Sequence, residues 1–169
     1  QGVVTFEIGI HGIPTTLYDH PEIYSGAKYG GLWNCYKNGF DNRETCFYRR
    51  VFVGCSRAVD FLAQLDFVDE NNIAVTGWSQ GGALTIVTSY LNPKVKYAAS
   101  IYPAMCDLTG ILYNQGDSWP HLFRDKKFAT KERSETCGYY DVGGCIFADS
   151  DFLELILDND EIFNSIFEE

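Results

Sequence analysis

The sequence is poor in positive charge and contains no long apolar run. It has 13 Lys and Arg residues against 23 Asp and Glu residues, which gives a formal net charge of −10. Since no basic stripe is available to neutralise phosphates, nucleic acids and anionic membranes are poor candidate partners. No apolar segment approaches the roughly 18 residues that a membrane-spanning helix needs, so the sequence predicts no such span.

Cysteine pairs at metal-binding spacing are also absent from the sequence. The six cysteines include no C-x-x-C pair, and six in 169 residues are too few for a disulfide scaffold. A zinc site is therefore poorly supported, and we expect mainly buried thiols.

Hydrophobic residues make up 46% of the chain and aromatics 15%, which excludes wholesale disorder. Negative charge is concentrated at one end, because residues 149–169 carry eight acids and no Lys or Arg. The acidity therefore says little about the ligand of the main body. The chain begins at Gln1 rather than Met, next to a strand-like run, and we interpret it as a fragment of a larger protein.

Strand and helix patterns alternate through the first two thirds of the chain. Strands are predicted at 3–10, 73–76 and 95–102, and helices within 44–65 and at 80–91. This alternation is typical of a parallel sheet with right-handed helical crossovers. Residues 14–43 are predicted to form a long connection, and residues 104–148 are predicted to be irregular.

The most informative segment is Gly77-Trp78-Ser79-Gln80-Gly81-Gly82, which fits G-x-S-x-G between a predicted strand and a predicted helix. In hydrolases, such a sharp turn holds a serine hydroxyl outward as a nucleophile, and we expect glycine on both sides because side chains have no room there. The start of a helix leaves N–H groups unpaired, so the backbone N–H of Gln80 is a candidate oxyanion donor. A Gly-rich turn with an ordinary hydrogen-bonding serine is the competing interpretation.

A serine nucleophile needs a histidine base and an orienting carboxylate, in the chain order serine, acid, histidine. The histidines of the chain are His11, His20 and His121. Only His121 follows Ser79, and Asp107 and Asp117 lie between them, so a triad of these residues is formally possible. We favour a loop position for His121 beside Trp119, because no strand is predicted between residues 103 and 121.

Two segments before the serine motif are candidates for ligand binding. His11-Gly12 is a candidate for the start of an oxyanion loop. Tyr24, Tyr29, Trp33 and Tyr36 are candidates for a sugar-binding platform. The alternative for these aromatic residues is that they cover the core beneath a long loop.

Several motifs occur in a characteristic order within residues 1–142. They are TFEIGIHGIP at 5–14, YRRV at 48–51, DFL at 60–62, GWSQGG at 77–82, YPA at 102–104, CD at 106–107, WPH at 119–121 and FRD at 123–125. In this order they resemble the acetylxylan esterase and cephalosporin C deacetylase family of α/β-hydrolases. The resemblance implies a partial α/β-hydrolase, with a mostly parallel sheet and helices on both faces. Residues 1–142 would form this domain with its nucleophile elbow, and residues 143–169 would be an acidic tail poorly matched to the family.

The resemblance also implies a function and its residues. A carboxylic ester hydrolase of this family removes acetyl groups from acetylated xylan or xylo-oligosaccharides, with Ser79 as the nucleophile and Gln80 as a backbone oxyanion donor. Asp160, within Asn159-Asp160-Glu161, is the candidate acid, although the prolines that follow it in the family are absent. The family's catalytic histidine and second oxyanion donor lie outside the matched residues, so we expect the 169-residue chain alone to be inactive.

No metal or cofactor is implied, since an activated serine and an oxyanion hole suffice for acyl transfer. The expected partner is a small acetyl ester or an acetylated oligosaccharide, and the family resemblance allows a homo-oligomer. Two other functions stay open. One is a non-catalytic carbohydrate-binding remnant that uses the aromatic residues at 24–36, and the other is a serine peptidase of related fold.

Overall fold

The computed structural model describes residues 2–10 and 36–148 of the chain. The described elements are, in chain order, helix α1 (Phe47–Leu62), strand β1 (Ile73–Trp78), helix α2 (Gln80–Leu91), strand β2 (Val95–Ile101), two 3₁₀ turns (Gly110–Tyr113 and Leu122–Arg124), helix α3 (Lys131–Tyr139) and helix α4 (Val142–Ala148). None of the helices in these two ranges is both long and apolar enough to cross a membrane.

Strands β1 and β2 lie side by side in parallel. Val75 pairs with Ala98 and Trp78 pairs with Ile101, so the carboxyl ends of both strands lie at the same edge of the sheet. Helix α2 forms the crossover between them, since parallel neighbours cannot be joined by a tight hairpin. The described residues therefore confirm the predicted α/β fold class.

Helix α2 lies at the centre of the described structure. It packs against both strands, α1 and α4, and every residue from Gly82 to Thr88 is buried. A helix surrounded in this way is apolar on all sides rather than amphipathic. Its few hydroxyls are satisfied within the helix, because Thr85 and Thr88 donate to the carbonyls of Gly81 and Leu84.

Helix α1 packs an aromatic-rich face against α2. Its buried residues are Phe47, Tyr48, Val51, Phe52, Cys55 and Val59. In the sequence, apolar residues at 51, 55, 58, 62 and 65 follow a helical period, and the structure buries Val51 and Cys55 of this set. The helix ends at Leu62, so Leu65, the last of the set, lies beyond it.

A polar network joins α1 to the start of β2. The side-chain amide of Asn92, which is buried, donates to Ser56 O at 2.9 Å and to Asp60 Oδ1 at 3.2 Å. Lys94 Nζ lies 2.7 Å from the same carboxylate oxygen. The turn between α2 and β2 is thereby fixed to α1, at the opposite end of the sheet from Ser79.

Two sequence predictions differ from the structure. Residues 3–10 were predicted to form a strand, but they adopt no strand structure. A strand is defined by its pairing, and neither described strand pairs with this segment. Instead, the Phe6 ring contacts Phe61 of α1 at a centroid distance of 5.8 Å.

The second difference concerns residues 104–148, which were predicted to be irregular but contain α3 and α4. Helix α3 begins after Thr130, whose hydroxyl accepts a hydrogen bond from Arg133 N as an N-cap does. This capping residue is a sequence signal that the hydrophobic period alone does not contain, because α3 has few apolar residues.

The Asp60 network predicts a pH-dependent stability. Hydrogen bonds from Lys94 and Asn92 hold the pKa of Asp60 below its ordinary value of 3.8. Its ionised form therefore contributes stability above that value, and the contribution is lost as the pH falls through the lowered pKa. Asp60→Asn should lower the urea unfolding midpoint at about pH 7 and change it little at about pH 2. Asp66→Asn, in the exposed turn after α1, is the control; an equal effect of both variants would contradict the prediction.

Candidate active site

Ser79 lies in the turn between β1 and α2, where the backbone is strained. Its φ of 54° and ψ of −113° lie outside the regions that residues with side chains normally occupy. Ser79 is the N-cap of α2, yet its hydroxyl makes no capping hydrogen bond. A serine at this position normally uses its oxygen to cap the helix. The side chain of Ser79 is instead exposed at the carboxyl edge of the sheet.

Glycines next to Ser79 allow α2 to approach the strands closely. A Cβ atom on Gly77 would lie 2.5 Å from the backbone of Gly81, so no side chain fits at that position. The expectation that both flanking glycines are crowded is right for Gly77 and wrong for Gly81, whose Cβ would have no neighbour within 4 Å. The second crowded glycine is Gly82, where a Cβ would lie 2.8 Å from Ile101 O.

Backbone hydrogen bonds hold Ser79 on both sides. Its N–H donates to Ile101 O at 3.0 Å, at the end of β2. Its carbonyl accepts two hydrogen bonds, each of 3.0 Å, from Ala83 N in α2 and Ala104 N in the segment after β2. These three bonds fix the strained residue to the helix and to the end of the neighbouring strand.

Gln80 is the first residue of α2, so its backbone N–H has no acceptor within the helix. The helix dipole adds partial positive charge at this end, which favours a developing oxyanion. The Gln80 side chain donates from Nε2 to the hydroxyl of buried Tyr48 at 3.4 Å. The geometry is thus compatible with a backbone oxyanion donor directly after the serine.

His121 lies in the loop where it was predicted, on the segment that contains Trp119. Its Nδ1 is buried 3.1 Å from Asp117 Oδ2. Despite this proximity, Nδ1 makes no hydrogen bond of good geometry within the described residues. Burial alone would raise the pKa of Asp117, but Arg124 and His121 together hold it below its ordinary value.

The possible triad through His121 is not assembled in the structure. Across residues 36–148, no hydrogen bond joins the hydroxyl of Ser79 to His121. Asp107 is turned to a different segment, since its N–H donates to Asp141 and its carboxylate lies against Gly110. Of the two acids considered for orienting His121, the structure brings only Asp117 to the imidazole.

Several predicted site residues fall outside the described ranges. They are His11, His20, Tyr24, Tyr29, Trp33 and Asp160. Tyr36 is described, and its ring packs against Trp119 at a centroid distance of 5.3 Å. Both residues are packed against the hydrophobic core, so Tyr36 helps to cover the core.

The cysteine thiols are not competing nucleophiles in the described part of the chain. Cys46, Cys55 and Cys137 are buried, and Cys106 and Cys145 are half-buried; all five are free thiols. Burial raises the pKa of Cys55 to about 11 and that of Cys137 to about 12. Such thiols stay protonated at neutral pH and are poor nucleophiles.

Sequence reasoning overlooked Asp141, between α3 and α4. Its carboxylate accepts hydrogen bonds from Asp107 N, Leu108 N and Gly143 N. An aspartate directly before a helix is a recognisable N-cap signal, which accounts for the bond from Gly143. The bonds to the segment after β2 depend on tertiary structure and leave no sequence signal.

A strained serine at a sharp turn between a parallel strand and a buried helix is the backbone geometry typical of the strand–turn–helix elbow of α/β-hydrolases. A family model described as acetyl xylan esterase (AXE1) matches residues 1–142. The chain belongs to the acetyl xylan esterase family.

The chain is similar to three known proteins, over different shares of their length. Acetyl esterase Axe7A from Xylanibacter ruminicola is 38% identical over 144 residues, which cover 84% of this chain and 32% of that protein. The structure of an acetyl xylan esterase from Paenibacillus sp. R4 has a TM-score of 0.57 at 26% identity, covering 65% of this chain and 37% of that one. A putative dipeptidyl aminopeptidase from Schizosaccharomyces pombe is 31% identical over 80 residues, 47% of this chain and 8% of that protein. The chain thus spans about a third of the length of Axe7A.

The two glycines after Gln80 provide a matched stability test of the elbow. Gly82→Ala places a methyl group 2.8 Å from Ile101 O, and such overpacking typically costs about 1–3 kcal/mol. Gly81→Ala meets no atom within 4 Å, and alanine has a higher helix propensity than glycine, by up to about 1 kcal/mol. Urea denaturation should therefore show Gly82→Ala as destabilised and Gly81→Ala as neutral or stabilised. The reverse order would show that α2 does not approach the strands as described.

Proposed function

We propose that the chain carries the nucleophile of a carboxylic ester hydrolase that removes acetyl groups from acetylated xylan or xylo-oligosaccharides. The observation that carries the proposal is the strained Ser79, whose hydroxyl is exposed and makes no capping bond. Membership in the acetyl xylan esterase family supports the choice of ester and acyl group.

The proposed reaction begins with attack of Ser79 Oγ on the acetyl carbonyl carbon. A new C–O bond forms, the serine proton passes to a base, and the carbonyl oxygen becomes an oxyanion. The backbone N–H of Gln80 donates to this oxyanion. When the intermediate collapses, the bond to the sugar oxygen breaks and the sugar leaves with a proton. Water then hydrolyses the acetyl-serine and regenerates the hydroxyl.

Other segments complete the proposed machinery. We assign the catalytic acid to Asp160, because its Asn-Asp-Glu context resembles the family's pattern. His121 is not the proposed base, because no hydrogen bond joins it to Ser79 within the described residues, although Asp117 lies 3.1 Å from its Nδ1. We propose a hydrolase part at 1–142, where the family model ends, followed by an acidic tail. Helix α4 crosses this boundary and packs against α2, so the acidic part of the tail begins after Ala148.

Replacing the nucleophile tests the proposal directly. In the full-length gene product, Ser79→Ala should lower hydrolysis of p-nitrophenyl acetate by about 10³-fold or more, because losing a triad member removes the covalent route. Ser89→Ala is the matched control, because its hydroxyl bonds only to carbonyls of its own helix. Both variants should show the circular dichroism spectrum of the parent protein. Unchanged turnover in Ser79→Ala would refute the serine mechanism.

The same assays separate the alternative functions. Cleavage of dipeptide p-nitroanilides in preference to acetyl esters would favour a peptidase, in line with the name of the yeast relative. Binding of xylo-oligosaccharides without hydrolysis would favour a non-catalytic remnant. Release of acetate from acetylated xylo-oligosaccharides would support the esterase.

We further propose that the isolated 169-residue chain has little esterase activity. The sequence contains no histidine after His121, and without a base Ser79 keeps its proton and is a poor nucleophile. One remaining oxyanion donor is worth about 3–4 kcal/mol of barrier lowering. The purified chain and its His121→Ala variant should therefore be equally weak. Robust turnover that disappears in His121→Ala would instead identify His121 as the base.

A further inference from the structure

Three residues with positive φ occur in the segment that follows β2, which we call the β2 loop (residues 102–109). Tyr102, Met105 and Asp107 have φ values of 46°, 64° and 59°. Each such conformation costs of order 1 kcal/mol for a residue with a side chain. The β2 loop therefore needs contacts from outside itself to keep this conformation.

The Asp141 carboxylate supplies contacts at the far end of the loop. Oδ1 accepts from Asp107 N at 3.0 Å, and Oδ2 accepts from Leu108 N at 2.6 Å. The next residue adds a third bond, from Val142 N to Met105 O at 2.9 Å. Hydrogen bonds from backbone N–H groups to a carboxylate are among the stronger ones in proteins. The junction between α3 and α4 thus holds the β2 loop by its backbone.

The amino-terminal end of the β2 loop is hydrogen-bonded to the backbone of Ser79. Ala104 N donates to Ser79 O at 3.0 Å, and Ile101, directly before the loop, accepts from Ser79 N. Ala104 is three residues from Asp107, so the Asp141 contacts and the Ser79 contact belong to one short stretch, in which Ala104 and Met105 are buried. A shift at one end of this stretch displaces the other.

We propose that Asp141 is a positioning residue for Ser79, acting through the β2 loop on the carbonyl that fixes the strained turn. Asp141 does not reach the reacting atoms. This positioning role rests on the proposed serine mechanism. Asp141 would hold Ser79 Oγ at the angle from which attack on the carbonyl carbon and oxyanion binding occur together. Displacing a nucleophile by about 1 Å can reduce a rate by roughly 10²-fold.

The same carboxylate also caps α4 through Gly143 N, at 2.9 Å, and the two roles can be separated. Asp141→Ser keeps a short N-cap oxygen but is too short to span to Asp107 and Leu108. Asp141→Asn keeps the length but converts one acceptor oxygen into an amide donor. Asp60→Asn is the control, because Asp60 also joins distant segments through hydrogen bonds, at the other end of the sheet.

The measurement is the burst of p-nitrophenolate when the full-length gene product reacts with diethyl p-nitrophenyl phosphate. Ser79 Oγ forms a bond to phosphorus, the bond to p-nitrophenolate breaks, and the serine proton passes to the base. The burst amplitude counts folded sites, and the burst rate reports how well the serine is positioned. A purely structural role would lower the amplitude and leave the rate unchanged.

We expect Asp141→Ser and Asp141→Asn to keep the parent amplitude and to slow the burst by about tenfold or more, with the rate of Asp60→Asn within about twofold of the parent. Parent rates in both Asp141 variants would overturn the positioning role and leave the serine mechanism standing. A burst that persists in Ser79→Ala, or that the parent protein lacks, would overturn the proposed function, and the role of Asp141 with it.

Discussion

The close approach of α2 to the two strands is the constraint on which the rest of the site depends. At Gly82 the helix backbone is so near β2 that a methyl group would lie 2.8 Å from Ile101 O. At Gly77 the start of the helix folds back over β1 with equally little room. This proximity leaves a single residue, Ser79, to reverse the chain between strand and helix, and the strained backbone of Ser79 follows from it. The burial of α2 from Gly82 to Thr88 provides the apolar stabilisation that offsets the strain.

In the proposed mechanism, the strained turn exposes the Ser79 hydroxyl for attack. The strained backbone of Ser79 must then be held by hydrogen bonds from several segments. The bonds from Ala83 and to Ile101 come from elements that adjoin Ser79 in the fold. The bond from Ala104 comes from the β2 loop, which is itself strained and is restrained by Asp141. Each unfavourable backbone conformation is therefore stabilised by hydrogen bonds to a more distant segment. The β2 loop stabilises Ser79, and the α3–α4 junction stabilises the β2 loop.

The elbow could be predicted from the sequence because its signals are local. The bounds of α2 and the order strand, turn, helix are encoded within about twenty residues around Ser79. The roles of Gly82 and Asp141 could not be predicted, since Gly82 depends on the distance between α2 and β2, and Asp141 contacts residues 33 and 34 positions earlier. Residues 3–10 have a strand-like composition, but composition cannot supply a partner strand. Helix α3 could not be predicted from hydrophobic periodicity, because it has few apolar residues. Its sequence signal is the N-cap residue Thr130.

The acid and the base of such a site are harder to predict from the sequence than the nucleophile is. In the proposed mechanism the nucleophile and its first oxyanion donor, Ser79 and Gln80, are adjacent residues, so one turn can position both. An acid and a base reach the serine only through later segments, whose positions depend on the whole sheet. His121 illustrates this point, because it has a carboxylate partner in Asp117 and the correct order in the chain, yet no hydrogen bond joins it to Ser79 in the described residues. Arg124 also contacts the Asp117 carboxylate, so the imidazole is not the only partner of this acid. Chain order alone therefore does not make a triad, and the mechanism that we propose for Ser79 needs a base held at the carboxyl edge of the sheet.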